Sequence, residues 1–163
     1  MKQAHTSEAP RSDSAGTVRS VSIHVSKRLD RVIVAPTHRN GAGVYFEQDA
    51  VDVIEGWPAP GEFGVAFQKA FEQFSFNDKD AHEQRQSDWL SYKASGLRTI
   101  SRFRQEYVHI NCMGLNPSNA VVRASARHPV NPNVELSVLF NPRSHATTIG
   151  ALLVELARLA VAA

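Results

Sequence analysis

The residues best suited to covalent chemistry meet where Cys112 follows His109 by three positions. A thiolate nucleophile needs a base within reach and a third group to orient that base. Side chains three apart on a strand point to opposite faces, so His109 and Cys112 do not form a thiolate and imidazole pair. Cys112 instead reads as a small buried apolar residue. Metal ligation is the next chemistry to test in a chain with 7 histidines. Asp78, Asp80, His82 and Glu83 cluster, but they lack the two-histidine helix spacing, the paired cysteines of structural zinc sites and the EF-hand order. A solvated loop accounts for them, and the expectation is no metal and no cofactor.

Phosphate binding fares no better, because Gly41-Ala42-Gly43 lacks a third glycine and a following helix, and reads as a hairpin turn. Arg98, Arg102 and Arg104 lie close to Lys93 in a chain of pI near 8.9. No aromatic residues interleave with them as a single-strand platform requires, so a solvated helix face is the simpler reading. With no complete catalytic centre, the chain is expected to bind rather than catalyse. A nucleic-acid-binding or regulatory module and a small hydrolase are the competing readings.

Charge is unevenly distributed although the total is only +2. Residues 1–45 hold seven Lys/Arg against three Asp/Glu, residues 46–90 three against ten, and residues 91–163 eight against three. An acidic block between basic ones projects a local field that steers charged partners. The same carboxylates also serve simply to solvate outward faces.

These side chains need a scaffold, and 163 residues suffice for one core without disulfide or metal. A single cysteine excludes an internal disulfide and fits a reducing compartment. Met1 to Gly16 carries Lys2 and Arg11 with no apolar run between them, so it is read as a flexible tail and not as a signal peptide. No stretch approaches the roughly 20 apolar residues of a membrane span. The protein is therefore expected to be cytoplasmic.

Residues 17–163 read as a single domain. Val21, Ile23 and Val25 alternate with Ser22, His24 and Ser26, the period of a half-buried strand. Val32 to Val34 form a second strand, closed by turn signals at Pro36 and Asn40-Gly41. Val44 to Phe46, with Val51, Val53 and Ile54, resume strand character. The break at Trp57-Pro58-Ala59-Pro60-Gly61 precedes a helix whose core stripe is Phe63, Ala66, Phe67, Ala70, Phe71 and Phe74. Asn77 to Asp88 reads as a polar loop. Ser87 and Asp88 are candidate caps for a short helix ending near Gly96, and Thr99 to Gln105 forms another. Three strands follow at Tyr107 to Met113, Ala120 to Arg127 and Val134 to Phe140, joined by turns and so antiparallel. Ser144 or Thr147 then caps a final helix with Ile149, Leu152, Leu153, Leu156 and Leu159 on one stripe. The segregated order predicts an α+β fold, an antiparallel sheet packed against the helix of the N-terminal half and the C-terminal amphipathic helix.

The segment Asp88-Trp89-Leu90-Ser91-Tyr92-Lys93-Ala94-Ser95-Gly96-Leu97-Arg98-Thr99-Ile100-Ser101-Arg102-Phe103 precedes a strand, Asn116-Pro117-Ser118-Asn119-Ala120, another strand and the closing helix. This arrangement resembles the CdiI-type immunity proteins of bacterial contact-dependent growth inhibition systems. The resemblance spans roughly Pro60 to Ala163, while residues 17–59 match only in being strand-rich. It implies a cytoplasmic protein that binds one-to-one the C-terminal toxin domain of a cognate effector, often a nuclease, and brings no catalytic residues. A nuclease that grips phosphates is basic. On that implication, Glu47, Asp49, Asp52, Glu55, Asp78, Asp80 and Glu83 are the expected partner-binding residues. Tyr45 and Trp57 are candidate aromatic anchors, and Trp57 fits equally as a lid on the core.

Overall fold

The computed structural model describes residues 18–26, 28–48, 50–77, 88–125 and 135–162. The expected N-terminal tail, the metal-like cluster Asp78, Asp80, His82 and Glu83, and Asp49, Ser87 and Val134 lie outside the described residues.

Alternating apolar residues set the frame. Strands β1 (Ser20–Ser26), β2 (Arg31–Arg39), β3 (Tyr45–Glu47) and β4 (Asp52–Glu55) precede helix α1 (Pro60–Glu72) and the short strand β5 (Ser75–Phe76). Helices α2 (Leu90–Ala94) and α3 (Ile100–Glu106) lead to β6 (Val108–Asn116), β7 (Asn119–Ser125), β8 (Glu135–Phe140) and helix α4 (Ala146–Ala162). The sheet runs β3-β2-β1-β6-β7-β8, with β4 and β5 also paired to β2. Its pairings are antiparallel except β2 with β5, and the expected α+β architecture is the one observed.

Val21, Ile23 and Val25 face α1 and α4, where they meet Val32, Val34, Phe63, Phe67, Ile110, Val122, Ile149 and Leu153. Burying each of these large side chains contributes about 1.5–3 kcal/mol. Proline at the first turn and Glu62 suit the start of α1, and Lys69 suits its end. Phe74, expected in its stripe, lies beyond the helix and packs against Tyr45 and Phe76 instead. The two long helices approach so closely that a Cβ on Gly64 would strike the Ala146 carbonyl, and one on Gly150 the Pro60 carbonyl. Only hydrogen fits at those two positions.

A smaller apolar cluster occupies the opposite face, where Ile33 meets Phe103 and Tyr107 under Leu29, Val51, Tyr92 and Leu97. With helices on both faces, β1 is buried along its whole length and not half-buried. Pro36, read as a turn, lies inside β2 opposite Val21. Its carbonyl accepts from Gln48 N on the side away from β1. The amide that proline lacks would point the same way, so no bond to β1 is lost.

Candidate functional site

Burying β1 on both faces puts Ser22 and His24 into the interior, where polar groups must find partners. They find them on neighbouring elements. Glu47, at the end of β3, reaches across so that its Oε1 lies 3.0 Å from His24 Nε2. The same carboxylate accepts from the Ser91 amide at 2.9 Å and the Ser91 hydroxyl at 2.7 Å. Ser22 Oγ sits 3.2 Å from His24 Nε2 and 2.7 Å from His109 Nε2. The His24 ring stacks on His109 with centroids 4.9 Å apart and tilts against Phe103 at 5.1 Å.

The donor directions follow from Glu47. Burial works to raise its carboxyl, but hydrogen bonds from His24 and Ser91 and the charge of His24 outweigh it and hold Glu47 below the usual 4.5. An ionised carboxylate only accepts, so His24 Nε2 donates to it. Ser22 then accepts from His24 and donates to His109. His109 shows an exposed edge to solvent, yet its ring face lies against His24. Burial, followed by the charge of His24, lowers it from 6.5 to about 4.

This constellation holds serine, histidine and glutamate, but not as a nucleophile relay. Ser22 and Glu47 both address His24 Nε2, whereas a relay needs the acid on the other ring nitrogen. What the arrangement does is mechanical. Ser91 lies in the first turn of α2, whose own N-cap residue Trp89 makes no side-chain cap bond. Glu47 therefore caps α2 from a strand. At the other end, Arg31 donates to the Ser95 carbonyl at 3.2 Å and the Ala94 carbonyl at 3.5 Å. Arg31 also grips Glu55 twice, at 2.7 and 3.0 Å, and the hydrogen bond to Glu55 raises the guanidinium above its ordinary value. A five-residue helix is thus held with an anion at its positive end and a cation at its negative end.

The expected partner-binding carboxylates separate into three groups. Glu47 is buried and engaged as described. Asp52 meets Lys69 Nζ at 2.7 Å, half-exposed, and Glu55 is exposed beside Arg31. Asp49, Asp78, Asp80 and Glu83 lie outside the described residues. Of the anchors, Tyr45 donates its hydroxyl to the Val18 carbonyl at 2.9 Å with Arg39 over its ring. Trp57 packs half-buried on the edge of the main core, its Nε1 without a hydrogen-bond partner among the described residues.

Cys112 lies in the main core, on the face of β6 opposite His109, and burial pushes its thiol strongly up. No metal-ligating cluster occurs among the described residues. No helix among them is long and apolar enough to cross a membrane.

No protein-family model matches the sequence, and no curated protein matches it. Solved structures do share its fold. A chain of the CdiA-CT/CdiI toxin and immunity complex from Yersinia pseudotuberculosis superposes with a TM-score of 0.64 at 13% identity. That match covers 90% of this chain and 97% of the other. The protein of unknown function NMB0488 from Neisseria meningitidis superposes with a TM-score of 0.64 at 14% identity, covering 89% of this chain and 97% of that one.

Proposed function

We propose that this chain is an immunity protein, which binds the C-terminal toxin domain of a contact-dependent growth inhibition effector and blocks it in the cytoplasm. The observation that carries the reading is the fold shared over 90% of the chain with a component of a toxin and immunity complex. The acidic block of residues 46–90 adds charge suited to a basic partner such as a nuclease. On this reading Asp49, Asp52, Glu55, Asp78, Asp80 and Glu83 face the toxin, and Glu47 supports them from behind by fixing α2. Inhibition is by occlusion of the toxin's working cleft, which needs neither cofactor nor catalysis from the immunity partner.

The test is co-expression with the toxin domain encoded beside it. A one-to-one complex on size exclusion, together with rescued growth, supports the proposal. Growth arrest despite soluble protein, with no complex formed, overturns it. A second reading has one observation in its favour: Lys93, Arg98 and Arg102 are all exposed on or beside α2 and α3. Tight RNA retention on a filter, falling steeply with salt, would favour a nucleic-acid-binding module instead.

A further inference from the structure

The buried polar network joins three parts of the fold that share no local sequence: β1 and β6 in the sheet, β3 at its margin, and α2 above it. One of its members, His109, reaches solvent, and the others do not. From this geometry we infer that Ser22, His24, Glu47, Ser91 and His109 form an acid-sensitive latch, which holds α2 and α3 on the sheet and opens when a proton enters at His109. The inference goes beyond the immunity reading and holds whatever partner the chain binds.

The mechanism follows from donor counting. In the closed state His109 Nε2 accepts the Ser22 hydroxyl proton, Ser22 Oγ accepts from His24, and His24 donates to Glu47. A proton on His109 makes Nε2 a donor. Ser22 must then turn its hydroxyl proton away, and His24 Nε2 cannot take it, because that nitrogen already carries the proton it donates to Glu47. The buried hydroxyl loses its acceptor, and the charge on His109 faces that of His24 across stacked rings 4.9 Å apart. Lifting α2 and α3 from the sheet admits water to the ring pair and relieves both, and the His24 bond to Glu47, which ties α2 to β1, is the one that opens.

Among the described residues, other charges do not mask this response. His109 on β6 is faced by His24 from β1 and Glu47 from β3. Arg123 on β7 and Glu135 on β8 share its sheet face but lie close to each other, 3.6 Å apart. Of the packed helices, α2 contributes Ser91 and α3 contributes Phe103, neither of which titrates. Glu106, at the end of α3, is held by Arg28 at 2.6 Å.

The closed state favours neutral His109, and an opened state protonates it near its ordinary 6.5. Closure is therefore complete above pH 6.5 and is lost as pH falls from there toward 4. Between those two values the opening equilibrium rises at most tenfold for each pH unit of acidification. The solvent-facing edge of His109 lessens the full effect, so a loss of about tenfold in protection is expected.

Hydrogen exchange of the full chain, corrected for the intrinsic effect of pH on exchange, reads this directly. Amides of residues 89–106 should lose about tenfold protection between about pH 7.5 and 4.5 while those of α1 and α4 keep theirs. In His109→Gln, which keeps a hydrogen-bonding side chain beside Ser22 and whose fold is checked by circular dichroism at pH 7.5, the pH response of residues 89–106 should be flat. Ser22→Ala should lessen it, because no hydroxyl is then left without an acceptor when His109 is protonated. Unchanged protection of residues 89–106 across that range overturns the latch. So does loss shared equally with α1 and α4, or a His109→Gln protein that responds as the wild type does.

Discussion

Replacing Glu47 by alanine removes an acceptor on which three buried donors depend: His24 Nε2, the Ser91 amide and the Ser91 hydroxyl. Each orphaned buried donor costs about 1–3 kcal/mol, and breaking a buried charged pair by deleting one partner costs about 3–5 kcal/mol. The donors share one carboxylate, so the costs overlap, and about 3–5 kcal/mol is the expected loss for Glu47→Ala at pH 7. For a domain of this size that corresponds to a fall in Tm of about 6–20 °C. Glu47→Gln keeps the shape and one oxygen acceptor but loses the charge, and should fall between wild type and alanine. Urea unfolding followed by circular dichroism measures the difference. Glu47 is held below 4.5 in the folded protein, so its contribution is complete above pH 4.5 and is lost as pH falls below that value. The gap between wild type and Glu47→Ala should accordingly close in acid. A Glu47→Ala protein within about 1 kcal/mol of wild type at pH 7 would refute the view that this carboxylate is a structural clamp.

Gly150→Ala should destabilise the fold by about 1–3 kcal/mol in thermal unfolding, because α1 and α4 must separate to admit a methyl group; a rise in Tm would count against that contact. Cys112 should resist thiol reagents in the native state and react on unfolding, which absorbance with a chromogenic disulfide reagent reports; fast native labelling would contradict its burial. Reversing charge at Asp49 and Asp52 together should slow association with the toxin at low salt while leaving stability within about 1 kcal/mol, since the pair of Asp52 with Lys69 is a surface one. Stopped-flow association rates decide this, and unchanged rates would remove both residues from the interface.

The elements were largely legible because their apolar periods are strong. The phenylalanine stripe of α1 and the leucines of α4 mark helices, and Val21, Ile23 and Val25 mark a strand with its apolar face correctly placed. What sequence could not show was what covers the other face. Ser22, His24 and Ser26 read as solvent-facing because polar residues usually are, but distant elements satisfy them, and no local pattern encodes Glu47 meeting His24 across 23 positions. The left-handed ending at Gly96 was legible, but N-capping failed for the same reason. The cap of α2 comes from β3, while ahead of α4 it is His145 Nδ1 that lies 3.4 Å from the Thr147 amide, and not Ser144 or Thr147 that supplies the acceptor. Pro36 misled because a proline is a breaker only where its missing amide would have paired. The glycines of α1 and α4 carried a faint signal: Gly64 and Gly150 sit inside helices, where glycine costs about 1 kcal/mol and a packing reason is to be sought.

The sheet also acts as a partition. On one side lie the long helices with most of the apolar mass, and on the other a small annex of Ile33, Phe103 and Tyr107 closed by polar bonds and ion pairs. Substitutions in the annex and in the main chamber share few neighbours, so their energetic effects should sum independently across the sheet. A lineage is thus free to rework the annex and its outer surface while the main chamber continues to specify the architecture.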